Sequence, residues 1–169
     1  GSDINKQKMG FAALFTLRGI PQIFYGCEIG MLGDGGNHGK LRADMPGGWK
    51  SDAQNAFTEA GRNSTQNELF NYLKTLLNWR KSKPVIHKGK LMHFIPENGI
   101  YVYFRYNDVE SVIVVLNNNN ETKTLDTKRF NERLTGFSSG KNIVTNESVT
   151  NLQSLSLPAK SATILELKK

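Results

Sequence analysis

"GIPQIFYGCEIGM", residues 19–31, decides how the rest of the chain is read. Ile23, Phe24 and Tyr25 form a short continuous apolar run, the pattern of a parallel strand buried on both faces. Pro21 stands at its start, where a missing N–H is tolerated, and Gly26 stops it. Upstream, "INKQKMGFAALFTLR", residues 4–18, reads as a helix. Met9, Ala12, Ala13 and Thr16 share one face, while Phe11, Leu14 and Phe15 widen the apolar surface, so the helix should be covered on more than one side. Gly19 is its expected terminator. Helix, glycine and buried strand make one αβ unit of a larger parallel sheet.

Beyond the strand, residues 26–50 form a long glycine-rich loop, and connections of that length are usually functional or disordered. Residues 51–61 read as a short helix starting at Ser51 or Asp52. "STQNELFNYLKTLLNWRKSKP", residues 64–84, is the clearest helix of the chain. Thr65 and Glu68 suit a capping box. Leu69, Leu73, Leu76 and Arg80 follow one stripe flanked by Tyr72 and Leu77, and Pro84 ends the run.

After Pro84 the period becomes two. Seven short segments, at 90–96, 100–107, 111–119, 121–127, 140–148, 152–159 and 161–168, read as strands separated by turn residues. Such spacing predicts an antiparallel sandwich. "VIVVL", residues 112–116, is apolar throughout and should be a central strand. The boundary between the two parts falls near Pro84, giving units at 3–84 and 85–169. Gly1 and Ser2 look like the remnant of a removed purification tag.

The chain of 169 residues carries a net charge of +7, with 22 Lys+Arg against 15 Asp+Glu. Its basic residues are scattered beside turns rather than gathered on one face, which argues against nucleic acid as a partner. No apolar run has the length needed to cross a bilayer. The single cysteine, Cys27, cannot form an intrachain disulfide or a cysteine-cluster metal site, and reads as an inert thiol.

No self-contained catalytic set emerges. His38, His87 and His93 lack the spacing of a helical metal site. "GDGGNHG", residues 33–39, has neither the phosphate-loop nor the calcium-loop pattern. The informative feature is a strand end followed by a polar loop, because in α/β barrels that end carries the site. Glu28, Arg42 and Asp44 are placed there to face a polar ligand. The plainer alternative is that Glu28 and Arg42 pair and hold the loop.

"RGIPQIFYGCEIGM" followed by "LRADMPGGW", residues 41–49, resembles the α-amylase family of glycoside hydrolases at the eighth strand of its barrel. The second motif resembles the neopullulanase and cyclomaltodextrinase branch, with Met45 in the place of the usual phenylalanine. The resemblance implies an α+β fragment: the last αβα portion of a (β/α)8 barrel, then an all-β antiparallel sandwich C-terminal domain. It also implies a retaining α-glucan hydrolase, whose nucleophile, acid and supporting aspartate sit on earlier barrel strands. No catalytic residue is then expected in this chain, which should be inactive alone.

Within the resemblance, Arg42 matches a loop arginine that holds the sugar beside the scissile bond, its five fixed donors suiting hydroxyls or a carboxylate. His38 stands where the family has that arginine's aspartate partner, and Asp34 or Asp44 could substitute. Tyr25, Glu28, Asp44 and Trp49 fit supporting positions behind those contacts. For Trp49, two roles stay open: stacking on a sugar face, or packing the loop against the barrel. The implied partner of the parent protein is an α-glucan oligosaccharide. The motifs imply no cofactor or metal in this chain, and leave calcium in the parent and a periplasmic or cytoplasmic location open. The rival readings are a carbohydrate-binding β-domain, using the aromatics Tyr101, Tyr103, Phe104 and Tyr106, and a purely structural one. If the barrel is cut, Phe11, Leu14, Phe15, Ile23 and Phe24 should form an apolar patch that drives self-association.

Overall fold

A computed structural model describes residues 3–33 and 35–169. The expected tag remnant, Gly1 and Ser2, and Asp34 lie outside the described residues. The first helix, α1, spans Ile4–Thr16. Asp3 caps it, its carboxylate accepting from the N–H groups of Asn5 and Lys6, which satisfies two donors that a helix start leaves without partners.

The far end of α1 departs from expectation. The helix stops at Thr16, with Leu17 already extended, and Gly19 lies beyond it at φ +121°. The last carbonyls are met by arginines instead. Arg80 donates to the carbonyl of Phe15 at 2.7 Å, and Arg105 to that of Thr16 at 2.8 Å. Positive groups at a helix C-terminus also oppose the partial negative charge of its dipole.

Residues 21–25 form no strand. A run buried on both faces needs neighbours whose backbones pair with its own, and every described strand follows residue 89. The barrel portion of the expected architecture is therefore not evident. Ile20 is 98% exposed, and Phe24 and Tyr25 are exposed beside it. The chain then reverses at Gly26, whose φ of +82° suits a residue without a Cβ. A Cβ there would also press on the Met31 side chain. The resulting tight turn buries Ile29 against the second long helix.

A four-residue helix, α2, spans His38–Leu41. Residues 51–61 are a set of turns rather than the expected helix. The long helix α3 spans Ser64–Lys81, with a capping box formed by Asn63 and Gln66 in place of Thr65 and Glu68. Leu69, Tyr72, Leu73 and Leu76 are its buried stripe. Pro84 does more than stop it. It occupies the first turn of a short helix, α4, Pro84–Lys88, a position where the missing N–H costs nothing.

Eight strands follow: β1 Lys90–His93, β2 Ile100–Tyr106, β3 Ser111–Asn117, β4 Lys123–Asp126, β5 Ser139–Asn142, β6 Ser148–Val149, β7 Ser154–Leu157 and β8 Ser161–Lys168. All seven expected segments contribute a strand; β6 is the addition. Six make an antiparallel sheet in the order β1-β2-β3-β8-β5-β6, and β4 pairs with β7 alone. β3 is central, as its apolar run predicted, because both its faces are covered. Val112 and Val114 meet α1, α3 and α4 in one core. Ile113 and Val115 meet Leu155, Leu157, Phe130 and Leu134 in a second core on the opposite face. The helices thus pack on the large sheet from one side, and the small sheet with the short helix α5, Asn131–Leu134, packs from the other.

Two polar groups fix this arrangement. Asn117 is fully buried at the end of β3, its amide donating to the carbonyls of Glu121, Leu157 and Pro158. The asparagine run is thus more than a turn signal. Tyr103, also fully buried, reaches α1, its hydroxyl 2.6 Å from that of Thr16. Since the Thr16 hydroxyl already donates to the Ala12 carbonyl, the tyrosine is the donor between them.

Candidate functional site

The loop after residue 25 is held at both ends. Tyr25 donates from its hydroxyl to the carbonyl of Ala43 at 3.1 Å, which fixes the residue between Arg42 and Asp44. Asp44 accepts from the indole N–H of Trp49 at 3.0 Å. Asp52 accepts from the backbone N–H groups of Gly47, at 2.7 Å, and of Trp49, at 3.1 Å. The Ala56 N–H donates to the Pro46 carbonyl, closing the segment.

Gly47 is required where it stands. Its φ is +101°, and a Cβ there would lie 2.7 Å from the Cα of Asn55. The segment is then anchored to α3 through Arg62. That side chain donates to the Ala56 carbonyl and to Asn67, and stacks 3.9 Å above the ring of Phe70, a cation–π geometry. Gln54 adds bonds to Gly61 and Gln66. Sequence reasoning missed Asp52, Asn55 and Arg62. The signal available was an aspartate three residues after "GGW", the spacing of a side chain that collects backbone donors.

The six residues expected at the site fall into two groups. Tyr25, Arg42, Asp44 and Trp49 lie together in the tethered segment, with His38 at the start of α2 and Arg42 as its C-terminal cap. Both His38 and Arg42 are exposed. Glu28 faces elsewhere. It lines an open groove of about 590 Å³ along α3, with Phe70, Leu73, Lys74 and Leu77 among the other walls. Glu28 and Arg42 form no ion pair, and Asp34, one of the two stand-ins weighed for the missing aspartate, lies outside the described residues.

Among the described residues, no group of three or more His, Cys, Asp or Glu side chains comes together to hold a metal ion. Nor, among the described residues, is any helix long and apolar enough to cross a membrane. Two carboxylates do converge, but on a cation: Lys83 sits 2.6 Å from Glu166 and 3.2 Å from Glu110, and Trp79 donates to Glu166 as well. Burial works against the charge of both Lys83 and Glu166. Their mutual bonds win, holding Lys83 above its ordinary pKa and Glu166 below the ordinary carboxylate range. A pair so neutralised is a clasp between the end of α3 and β8, not an acid and a nucleophile.

The aromatics of β2 are accounted for by packing. Tyr103 and Phe104 are fully buried, and Tyr101 and Tyr106 are half-buried. Arg133 lies 3.6 Å above the Tyr106 ring. Exposed apolar side chains gather instead before α3. Ile20, Phe24, Leu32, Trp49 and Phe57 are all more than half exposed, whereas residues 85–169 leave only Ile95 and Val109 so among the large hydrophobics.

Residues 91–166 match the family model described as the cyclo-malto-dextrinase C-terminal domain. The chain is 30% identical over 123 residues to a cyclomaltodextrinase of Geobacillus thermopakistaniensis, covering 72% of this chain and 18% of that protein. It is 31% identical over 161 residues to a cyclomaltodextrin glucanotransferase of Niallia circulans, covering 89% and 20%. It therefore spans about one-fifth of the length of the curated relatives it matches. Among solved structures, the α-amylase of Geobacillus thermoleovorans complexed with acarbose superposes with a TM-score of 0.71 at 21% identity, over 98% of this chain and 34% of that one.

Proposed function

The chain belongs to the α-amylase family of glycoside hydrolases, its residues 91–166 being a cyclo-malto-dextrinase-type C-terminal domain, and from that premise we propose that it is the C-terminal portion of a retaining α-glucan hydrolase. The substrates on this reading are α-1,4-linked glucans, with α-1,6 linkages as a further target: starch, maltodextrin, pullulan or cyclodextrin. Residues 3–84 contribute the closing elements of the catalytic barrel, and residues 85–169 the β-domain behind them. Retaining hydrolysis needs a nucleophilic carboxylate and a carboxylic acid about 5–5.5 Å apart on either side of the scissile bond. Those groups come from the rest of the barrel, and this chain alone is inactive.

The observation that carries the reading is the exposed apolar surface around residues 20–25. Soluble monomers rarely leave such a patch open, and here it adjoins the tethered loop that holds Arg42, Asp44 and Trp49. On this reading a neighbouring barrel strand pairs with residues 21–25 and converts them into the parallel strand that their composition suggests. The loop then stands at the barrel's active end, where Arg42 and His38 contact the sugar and Tyr25 and Asp44 hold the loop.

The test is release of reducing sugar from maltoheptaose and β-cyclodextrin. Two proteins are compared: the full product of the encoding gene and the 169-residue chain. Turnover by the first and none by the second supports the reading. Turnover by the isolated chain, or none by the full product, overturns it.

A further inference from the structure

Trp49 presents an unusual combination for a loop residue. The residue is 64% exposed, yet both of its N–H groups are fixed. The indole N–H donates to Oδ2 of Asp44 and the backbone N–H to Oδ2 of Asp52. The backbone beneath is locked by Gly47 against Asn55 and by the closure from Ala56 to Pro46. An aromatic left outside merely because a surface has room for it gains nothing from such tethers. A ring held in one orientation before anything arrives loses little entropy when something lands on it.

The chemistry beside the ring selects what lands. Asp44 uses one oxygen on the indole; its other oxygen takes no hydrogen bond among the described residues. An ionised carboxylate is acceptor-only, so that oxygen calls for a hydroxyl or N–H donor. A purely apolar partner would bury it without a donor, at a cost, and an anionic partner would be repelled. A pyranose answers both demands, with an apolar C–H face for the indole and a rim of hydroxyl donors for the carboxylate.

We propose that Trp49 and the free oxygen of Asp44 form a seat for one glucose unit of an α-glucan, with Trp49 stacking on the sugar and Asp44 accepting a hydroxyl. The proposal rests on the function above for the identity of the sugar, and it resolves the two roles open to Trp49 in favour of stacking. Asp44 is then a sugar contact as well as a support.

The experiment reads the two indole N–H resonances of the 15N-labelled 169-residue chain by NMR, with maltoheptaose added into the range of roughly 10 mM, where weak sugar sites saturate. Trp79, bonded to Glu166 and half-buried, is the internal control. The Trp49 signal should shift saturably while that of Trp79 stays put. Asp44→Asn should weaken binding by roughly 10- to 150-fold, the range for one charge-assisted bond, and Trp49→Ala should abolish it. Binding by the Trp49→Ala variant is followed through backbone amides of residues 44–52, and a Trp49→Phe variant should keep part of the affinity. No shift at Trp49, or binding that survives Trp49→Ala, overturns the proposal. Binding is read without turnover, so this result and the hydrolysis result fail independently.

Discussion

The guanidinium of Arg105, in β2, donates to the carbonyl of Thr16, the last residue of α1, at 2.8 Å. It donates also to Gly89 and Lys90, so one side chain, 1% exposed, ties the end of α1 to the end of α4 and the start of β1. Its acceptors are all carbonyls. Burial, and then the nearby Arg80 and Arg18, push its pKa down, although an arginine stays charged through any such shift. The β-domain thereby holds the residue from which the chain sets out toward the tethered loop.

Replacing Arg105 by Met should test that role. The buried carbonyl of Thr16 and the part-buried carbonyls of Gly89 and Lys90 lose their donor, the buried one at about 1–3 kcal/mol and the others at less, while relief of the buried charge offsets part of the sum. We expect a net loss of about 2–4 kcal/mol in urea unfolding. Arg105→Lys should fall between, since a compact ammonium cannot match the planar fork. A neutral Arg105→Met variant would show that the desolvation cost cancels the bonds.

The Lys83 clasp predicts a pH signature. Glu166 is held below its ordinary pKa, so its contribution is present above the unfolded value, about 4.3, and is lost as pH falls through the folded value. Lys83 is held above its ordinary pKa. Its contribution is present below about 10.4 and is lost at higher pH. Urea midpoints measured across pH should fall at both extremes, and Glu166→Gln should flatten the acid limb. An unchanged acid limb would remove Glu166 from the account.

Gly47→Ala should disrupt the tethered loop. The new Cβ meets the Asn55 backbone, and φ +101° disfavours any side chain, a strain of about 1–3 kcal/mol. Limited proteolysis should then cut within residues 44–61 faster than in the wild type. Equal cutting rates would mean that the loop tolerates the strain.

These features differ in how far the sequence announces them. The strands after Pro84 were legible because alternation and turn residues are local signals, and the buried stripe of α3 because Leu69, Leu73 and Leu76 repeat at helical spacing. The run at 21–25 misled because an all-apolar segment reads as a buried strand only if partners flank it, and partners are not local information. The capping box was displaced by two residues because Asn63 with Gln66 and Thr65 with Glu68 both satisfy the same pattern. Arg105 was missed for another reason: a lone arginine in a strand reads as surface until the two helix ends it caps are brought to it. In the loop, the motif drew attention to Arg42, Asp44 and Trp49, which the structure gathers in one tethered segment, while Asp52 and Arg62 act through backbone groups that no motif names.

The exposed apolar surface predicts self-association of the isolated chain. Part of the patch expected from the sequence is covered: Phe15 is buried and Phe11 and Ile23 are half-buried, but Leu14, Ile20 and Phe24 stay open. Light scattering on a dilution series should give a mass that rises with concentration, and Ile20→Lys with Phe24→Ser should return it toward the monomer. A clean monomer at every concentration would mean that the patch is too small to drive pairing.

If the segment from Tyr25 to Trp49 serves a glucan site, kcat/KM for maltoheptaose of the Arg42→Ala variant of the full gene product, measured alongside its melting midpoint, should show it. Arg42 is exposed and leaves no cavity when truncated, so the midpoint should hold. Loss of a charge-assisted contact of about 1.5–3 kcal/mol should lower kcat/KM by roughly 10- to 150-fold. A lowered midpoint with unchanged turnover of the folded enzyme would contradict the claim and make Arg42 a structural clasp.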